Sequence, residues 1–115
     1  MSISNQLIER MEEIQLLTCL YFNLSIEDLR SRSRVVKVAH PRMLAMYLVR
    51  RNTTLSLVDI GKGFGGRDHG TVINACSRVR SAMRVDPSIS ELLGEILAGE
   101  QEAKGEFSMN YHQQQ

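Results

Sequence analysis

Ser56 to Met83 reads SLVDIGKGFGGRDHGTVINACSRVRSAM, and the spacing of its apolar residues decides the fold. Leu57, Ile60 and Phe64 recur at helical intervals behind Ser56, which with Asp59 three residues on gives a start signal, so a helix of about two turns is predicted. Gly65-Gly66 ends it. Asp68 can then cap a second helix whose Val72, Cys76, Val79 and Met83 form one apolar stripe, while Thr71, Asn74, Arg78 and Ser81 occupy the other face. Two helices joined by a short glycine-containing turn, the second polar on one side, are the sequence form of a helix-turn-helix.

Outward from this pair the pattern stays helical. Leu7, Met11, Ile14, Leu17 and Tyr21 predict a first amphipathic helix from about Asn5 to Phe22, broken by Asn23-Leu24. Ser25 with Asp28 is a capping-box signal for a brief helix carrying Ile26 and Leu29 inward. The segment Arg30 to His40 has four cations and no apolar period, which predicts a loop, and Pro41 suits the first turn of the next helix. That helix, to about Asn52, is apolar on nearly every face from Met43 to Val49 and is predicted to be central. Ser88 with Glu91 suggests a capping box for a last helix bearing Ile89, Leu92, Leu93, Ile96 and Leu97. No strand-like alternation appears, so the fold class is all-α, with about six helices in one domain over residues 1–103. Residues 104–115 carry no pattern and are expected to form a disordered tail.

The 115 residues suffice for one domain, and 43% hydrophobic with 23% charged residues is ordinary for a globular chain. The apolar run Met43 to Val49 is far shorter than the ~18 to 20 residues of a membrane span, and MSISNQLIERMEE lacks a signal-peptide pattern. A cytoplasmic, nucleoid-associated protein without a membrane partner is expected. Cys19 and Cys76 lie in apolar helical patterns without partners at metal-ligand spacing, which predicts buried thiols and no metal. Gly61 to Gly66 satisfies G-x-G-x-x-G, but it follows a helix instead of a strand, so neither nucleotide nor other cofactor is expected.

The net charge of +1 conceals a strong polarity. Between Arg30 and Arg84 stand twelve Lys or Arg against only Asp59 and Asp68, a net of +10, while both flanks are acidic. A concentrated positive segment is the footprint expected for a polyanion partner. The residue types near the start of the second helix suit base edges: Arg67 can donate to guanine, Asp68 can accept from cytosine, His69 can do either, and Thr71 offers a hydroxyl or a methyl. Arg34, central among Arg30, Arg32 and Lys37, could enter a minor groove. Arg42, Arg50 and Arg78 are expected on phosphates, with Asn74 on the same helix face as Thr71 and Arg78. Asp68 beside His69 does not make an acid–base pair, because neighbours on a helix point apart, and no enzyme activity is expected.

The run from Ala39 to Arg78, and within it GGRDHGTV from Gly65 to Val72, resembles the C-terminal DNA-binding domain of the bacterial replication initiator family DnaA. The likeness extends more weakly from about Met11 to Leu97. It implies a Trp-repressor-like helical fold that binds a short DnaA-box-like duplex, with Arg34 in the minor groove, Arg42 and Arg50 on the backbone, and Arg67, Asp68, His69 and Thr71 at the major-groove end. Three positions depart from the family pattern: Gly70 stands for a usual Thr, Met43 for a usual Gln and His40 for a usual Arg. Nothing resembles the family's ATPase domain, so a stand-alone module in replication initiation or its regulation is expected. The competing readings are an adaptor that keeps the fold and binds the initiator or another replication protein, and a transcriptional repressor.

Overall fold

The structure, a computed structural model, describes residues 5–113, with side chains described from residue 5 to residue 100. Among the described residues six helices follow one another: α1 (Asn5–Phe22), α2 (Ile26–Arg30), α3 (Val36–Asn52), α4 (Leu57–Gly63), α5 (His69–Val85) and α6 (Ser88–Gln113). No strand occurs among the described residues. Among them, too, no helix is long and apolar enough to cross a membrane.

Local chemistry sets most of the boundaries. Asn23, at φ 58°, ends α1 in the left-handed conformation, and the Leu24 amide donates to the Cys19 carbonyl at 2.9 Å, closing a Schellman-type turn. Ser25 and Asp28 make the reciprocal capping box at the start of α2. Ser56 Oγ accepts from the Asp59 amide at 3.0 Å to start α4.

Two boundaries differ from the sequence expectation. Helix α3 begins at Val36, five residues before Pro41, because the Val35 carbonyl already accepts from the Val38 and Ala39 amides at 2.9 and 2.7 Å. Lys37 and His40 therefore ride on a helix, the irregular basic loop shrinks to Ser31–Val35, and Pro41 sits inside the helix. At α6 the cap is Asp86, whose Oδ1 accepts from the Ser88 amide at 3.0 Å and hydroxyl at 2.7 Å, in place of the expected Ser88–Glu91 box. Pro87 holds the preceding Asp86 in extended backbone, where its carboxylate reaches forward over the first turn. Of the segment from Lys104, expected as a separate tail, only the backbone is described. It continues α6 to Gln113, and residues 114 and 115 lie outside the described residues.

Helix α3 is the hub, buried from Leu44 to Val49 on every face, with α1, α2, α4 and α5 packed around it and α6 laid on α1 and α5. Phe64, Ile14, Leu29, Met46, Ile60 and Ile96 are the largest fully buried apolar side chains, drawn from five helices and the α4–α5 turn. Both cysteines are buried free thiols, as expected. Gln15, fully buried, donates from Nε2 to the Gly63 carbonyl at 2.8 Å and accepts from Arg30 Nη2 at 2.6 Å, tying α1 to α2 and α4.

The α4–α5 turn depends on a close approach that only glycine permits. A Cβ on Gly61 would lie 2.0 Å from the Arg67 carbonyl oxygen, and the Gly61 carbonyl itself accepts from the Arg67 amide at 2.9 Å. Gly94 in α6 has open space where its Cβ would stand. Gly61→Ala is therefore expected to cost about 3 kcal/mol or to abolish cooperative unfolding, while Gly94→Ala should add about 0.5 to 1 kcal/mol. Urea denaturation of both variants measures this, and equal small effects would refute the close-approach account.

Candidate nucleic-acid interface

The site is assembled by backbone carbonyls that capture arginines. Arg42, expected on a phosphate, is instead 5% exposed. Its Nε donates to the Leu29 carbonyl at 2.8 Å, Nη1 to Ser33 at 3.0 Å and Nη2 to Asp28 at 3.4 Å. Arg67, half-buried, donates from Nη1 to the Phe64 carbonyl at 2.6 Å and from Nη2 to Ser31 at 2.7 Å. These two side chains hold the α2–α3 loop against the α4–α5 turn. Burial, with Arg67 nearby, disfavours the charge on Arg42, and burial with Arg32 nearby does the same to Arg67. A guanidinium nevertheless stays protonated in proteins, so both charges remain.

The loop continues in short turns, the Ser33 amide donating to Ser31 Oγ and the Val35 amide to Ser33 Oγ, each at 3.2 Å. This frame leaves Arg32 and Arg34 exposed. A concavity of about 520 Å³ opens between the loop, the start of α3 and α5. Arg32 and Arg34 of the loop, His40, Arg42 and Met43 of α3, Arg67 of the turn, and Thr71 and Arg78 of α5 line it. No Asp or Glu lines it, and the ion pairs found among the described residues join Arg10 to Glu13 and Glu100, far along the sequence from these cations. Such a cluster of cations attracts a multivalent anion.

Five of the predicted residues thus meet in one hollow: Arg34, Arg42, Arg67, Thr71 and Arg78. The other five do not line it. Lys37 is exposed on the first turn of α3, Arg50 on the last, and His69 and Asn74 are exposed on α5. Asp68 caps α5, its Oδ1 accepting from the Thr71 amide at 2.9 Å and hydroxyl at 3.2 Å. Arg32, His40 and Met43 line the hollow without having been singled out as site residues. Ile73, 43% exposed on α5 beside Asn74, is an apolar residue one step off the Val72–Cys76–Val79 stripe.

An α4–turn–α5 pair whose second helix opens onto a hollow lined by cations and by no carboxylate defines a helix-turn-helix module with a cationic surface. The bacterial DnaA helix-turn-helix family matches residues 11–79, and the chain belongs to that family. It is 45% identical over 85 residues, 74% of its length, to the chromosomal replication initiator protein DnaA of Methylacidiphilum infernorum. It is 43% identical over 86 residues, 75% of its length, to that of Thermodesulfovibrio yellowstonii. The chain spans about a fifth of the length of these relatives, 19% and 20%.

The Asp68 cap titrates with a definite sign. The Thr71 amide, and after it the Thr71 hydroxyl, hold the Asp68 carboxyl below its usual value. A carboxylate so depressed stabilises the fold above the ordinary range near pH ~4 and loses that contribution as pH falls through the lowered value. Asp68→Ala, which removes both the charge and the capping oxygen, should flatten this acid limb and speed hydrogen exchange of the Thr71 amide. An unchanged acid limb and unchanged exchange would show that the cap is dispensable.

Proposed function

We propose that this chain binds double-stranded DNA at a short DnaA-box-like element, in replication initiation or its regulation. The N-terminal end of α5 enters the major groove, and Arg34 reaches into the adjoining minor groove. The observation that carries this reading is the shared hollow, in which Arg34 from the loop and Thr71 and Arg78 from α5 face one space that no carboxylate lines. The relatives, which are chromosomal replication initiator proteins, support it from the side of family.

The division of labour follows from exposure. His69 is free at the helix start, and Asp68 retains Oδ2 to accept from a cytosine amino group while Oδ1 holds the cap. In this reading the exposed Ile73 side chain meets a thymine methyl. Arg50, Arg78 and Lys37, exposed at the margins, suit phosphates. Arg42 and Arg67 take a different part from the one expected from sequence: three N–H groups of Arg42 and two of Arg67 donate to carbonyls, and the pair positions the loop that presents Arg34. Gly70 removes a side chain from the base-facing end, and preference is expected to differ from the initiator's own box accordingly. An adaptor reading leaves the unneutralised hollow without a use, so DNA is preferred.

Equilibrium binding of wild type and variants to a selected and a scrambled duplex, over a salt series, tests these roles. Arg34→Ala should weaken specific binding by ~1 to 3 kcal/mol and scrambled binding less. Arg78→Ala should reduce the log–log salt slope by about 1 on both duplexes. Arg42→Met should lower thermal stability and specific affinity while leaving the slope unchanged. A slope reduced by Arg42→Met, or identical losses on both duplexes for Arg34→Ala, would refute the assignment.

A further inference from the structure

A second cleft, of about 400 Å³, lies where the end of α1 meets α3, α5 and α6. Leu44 and Val79 form its buried floor, and Phe22, Ile89 and Leu92, all half-buried, form its walls. Its volume falls within the ~300 to 1,000 Å³ of small-molecule sites, which pair apolar walls with a few convergent polar groups. The polar side chains here are two, His40 and Arg78. Both can donate hydrogen bonds, Arg78 is always charged, and no Asp or Glu lines the cleft. His40, Met43 and Arg78 also line the cationic hollow, so the two cavities share a wall.

We propose that this cleft is an effector site for a small amphipathic carboxylic acid, whose apolar body lies between α3, α5 and α6 and whose carboxylate docks at His40 and Arg78. Apolar walls alone would accept any greasy molecule; the cationic rim selects an acid, because a charge-assisted bond to a guanidinium is stronger than one between neutral groups. Seated there, the carboxylate neutralises charge on the wall that a DNA phosphate would otherwise meet. Acid and DNA then oppose one another, and linkage makes the opposition reciprocal. The opposition rests on the duplex-binding reading; occupancy of the cleft does not.

The probes are 4-phenylbutyrate and its uncharged counterpart 4-phenylbutanol, titrated into the full chain and followed by NMR, without DNA and then with a selected duplex. The acid should shift the signals of Phe22, Val79 and Ile89 saturably and bind about tenfold more tightly than the alcohol. At saturation it should weaken duplex binding by about three- to tenfold, with the duplex weakening acid binding by the same factor. Ala82→Phe, at an exposed α5 position on the cleft wall outside the duplex-facing set, should abolish acid binding and spare the duplex. Ile89→Glu, which places a negative charge in the wall, gives a second variant should Ala82→Phe fail to fold. Equal affinity for acid and alcohol, shifts centred elsewhere, or acid binding retained in both folded variants would overturn the site. Acid binding with duplex affinity unchanged would overturn the opposition. Failure of the wild type to bind duplex would sink the duplex reading alone, leaving the first titration to judge the cleft.

Discussion

A guanidinium buried without acceptors would cost several kcal/mol, so burying Arg42 obliges the surrounding chain to supply them. The α2–α3 segment does so by curling three carbonyls, from Asp28, Leu29 and Ser33, toward one side chain of α3. The loop's shape is thus set from below by a charge, where a loop of its composition would otherwise be held by little else. Arg67 completes the frame from the other side through Ser31 and Phe64. Two inward arginines fix where two outward ones, Arg32 and Arg34, can stand. The outward pair keeps its charge accessible because the inward pair has taken the local acceptors.

The all-helical fold and the turn between α4 and α5 were legible because their signals are local. Ser25, Ser56 and Asp68 each bond an amide a few residues ahead, and such bonds can be read from spacing alone. The start of α3 was not legible, since Val35 caps it with a carbonyl and no side chain. Asp86 displaced the Ser88–Glu91 box for a similar reason: two caps competed, and the geometry imposed by Pro87 chose between them. In the site, charge was legible and burial was not. Arg34, Arg42, Arg67 and Arg78 look alike in a sequence, and only long-range packing sorts them into presenters and presented.

The glycine run shows how one motif carries unrelated meanings. G-x-G-x-x-G at Gly61 to Gly66 has the spacing of a dinucleotide cradle, yet here the constraint comes from the protein's own backbone. Gly61 admits the Arg67 carbonyl, and Gly65, at φ 82°, passes within 2.2 Å, measured from an added Cβ, of the Arg30 carbonyl. The first contact closes the turn on itself and the second brings it against the end of α2, and these two glycines are explained without a phosphate.

Among the described residues Arg10 bridges Glu13 of α1 and Glu100 of α6, and no carboxylate lines the cationic hollow. A molecule of net charge +1 so divided along its chain, +10 between Arg30 and Arg84 against acidic flanks, meets an external field through the distribution of its charge more than through its total. In the field of a polyanion it experiences torque before it experiences much net pull, and it arrives already turned, while remaining weakly attracted to negative surfaces in general. Keeping carboxylates out of the hollow thereby governs how encounters begin, and makes orientation during approach sensitive to ionic strength.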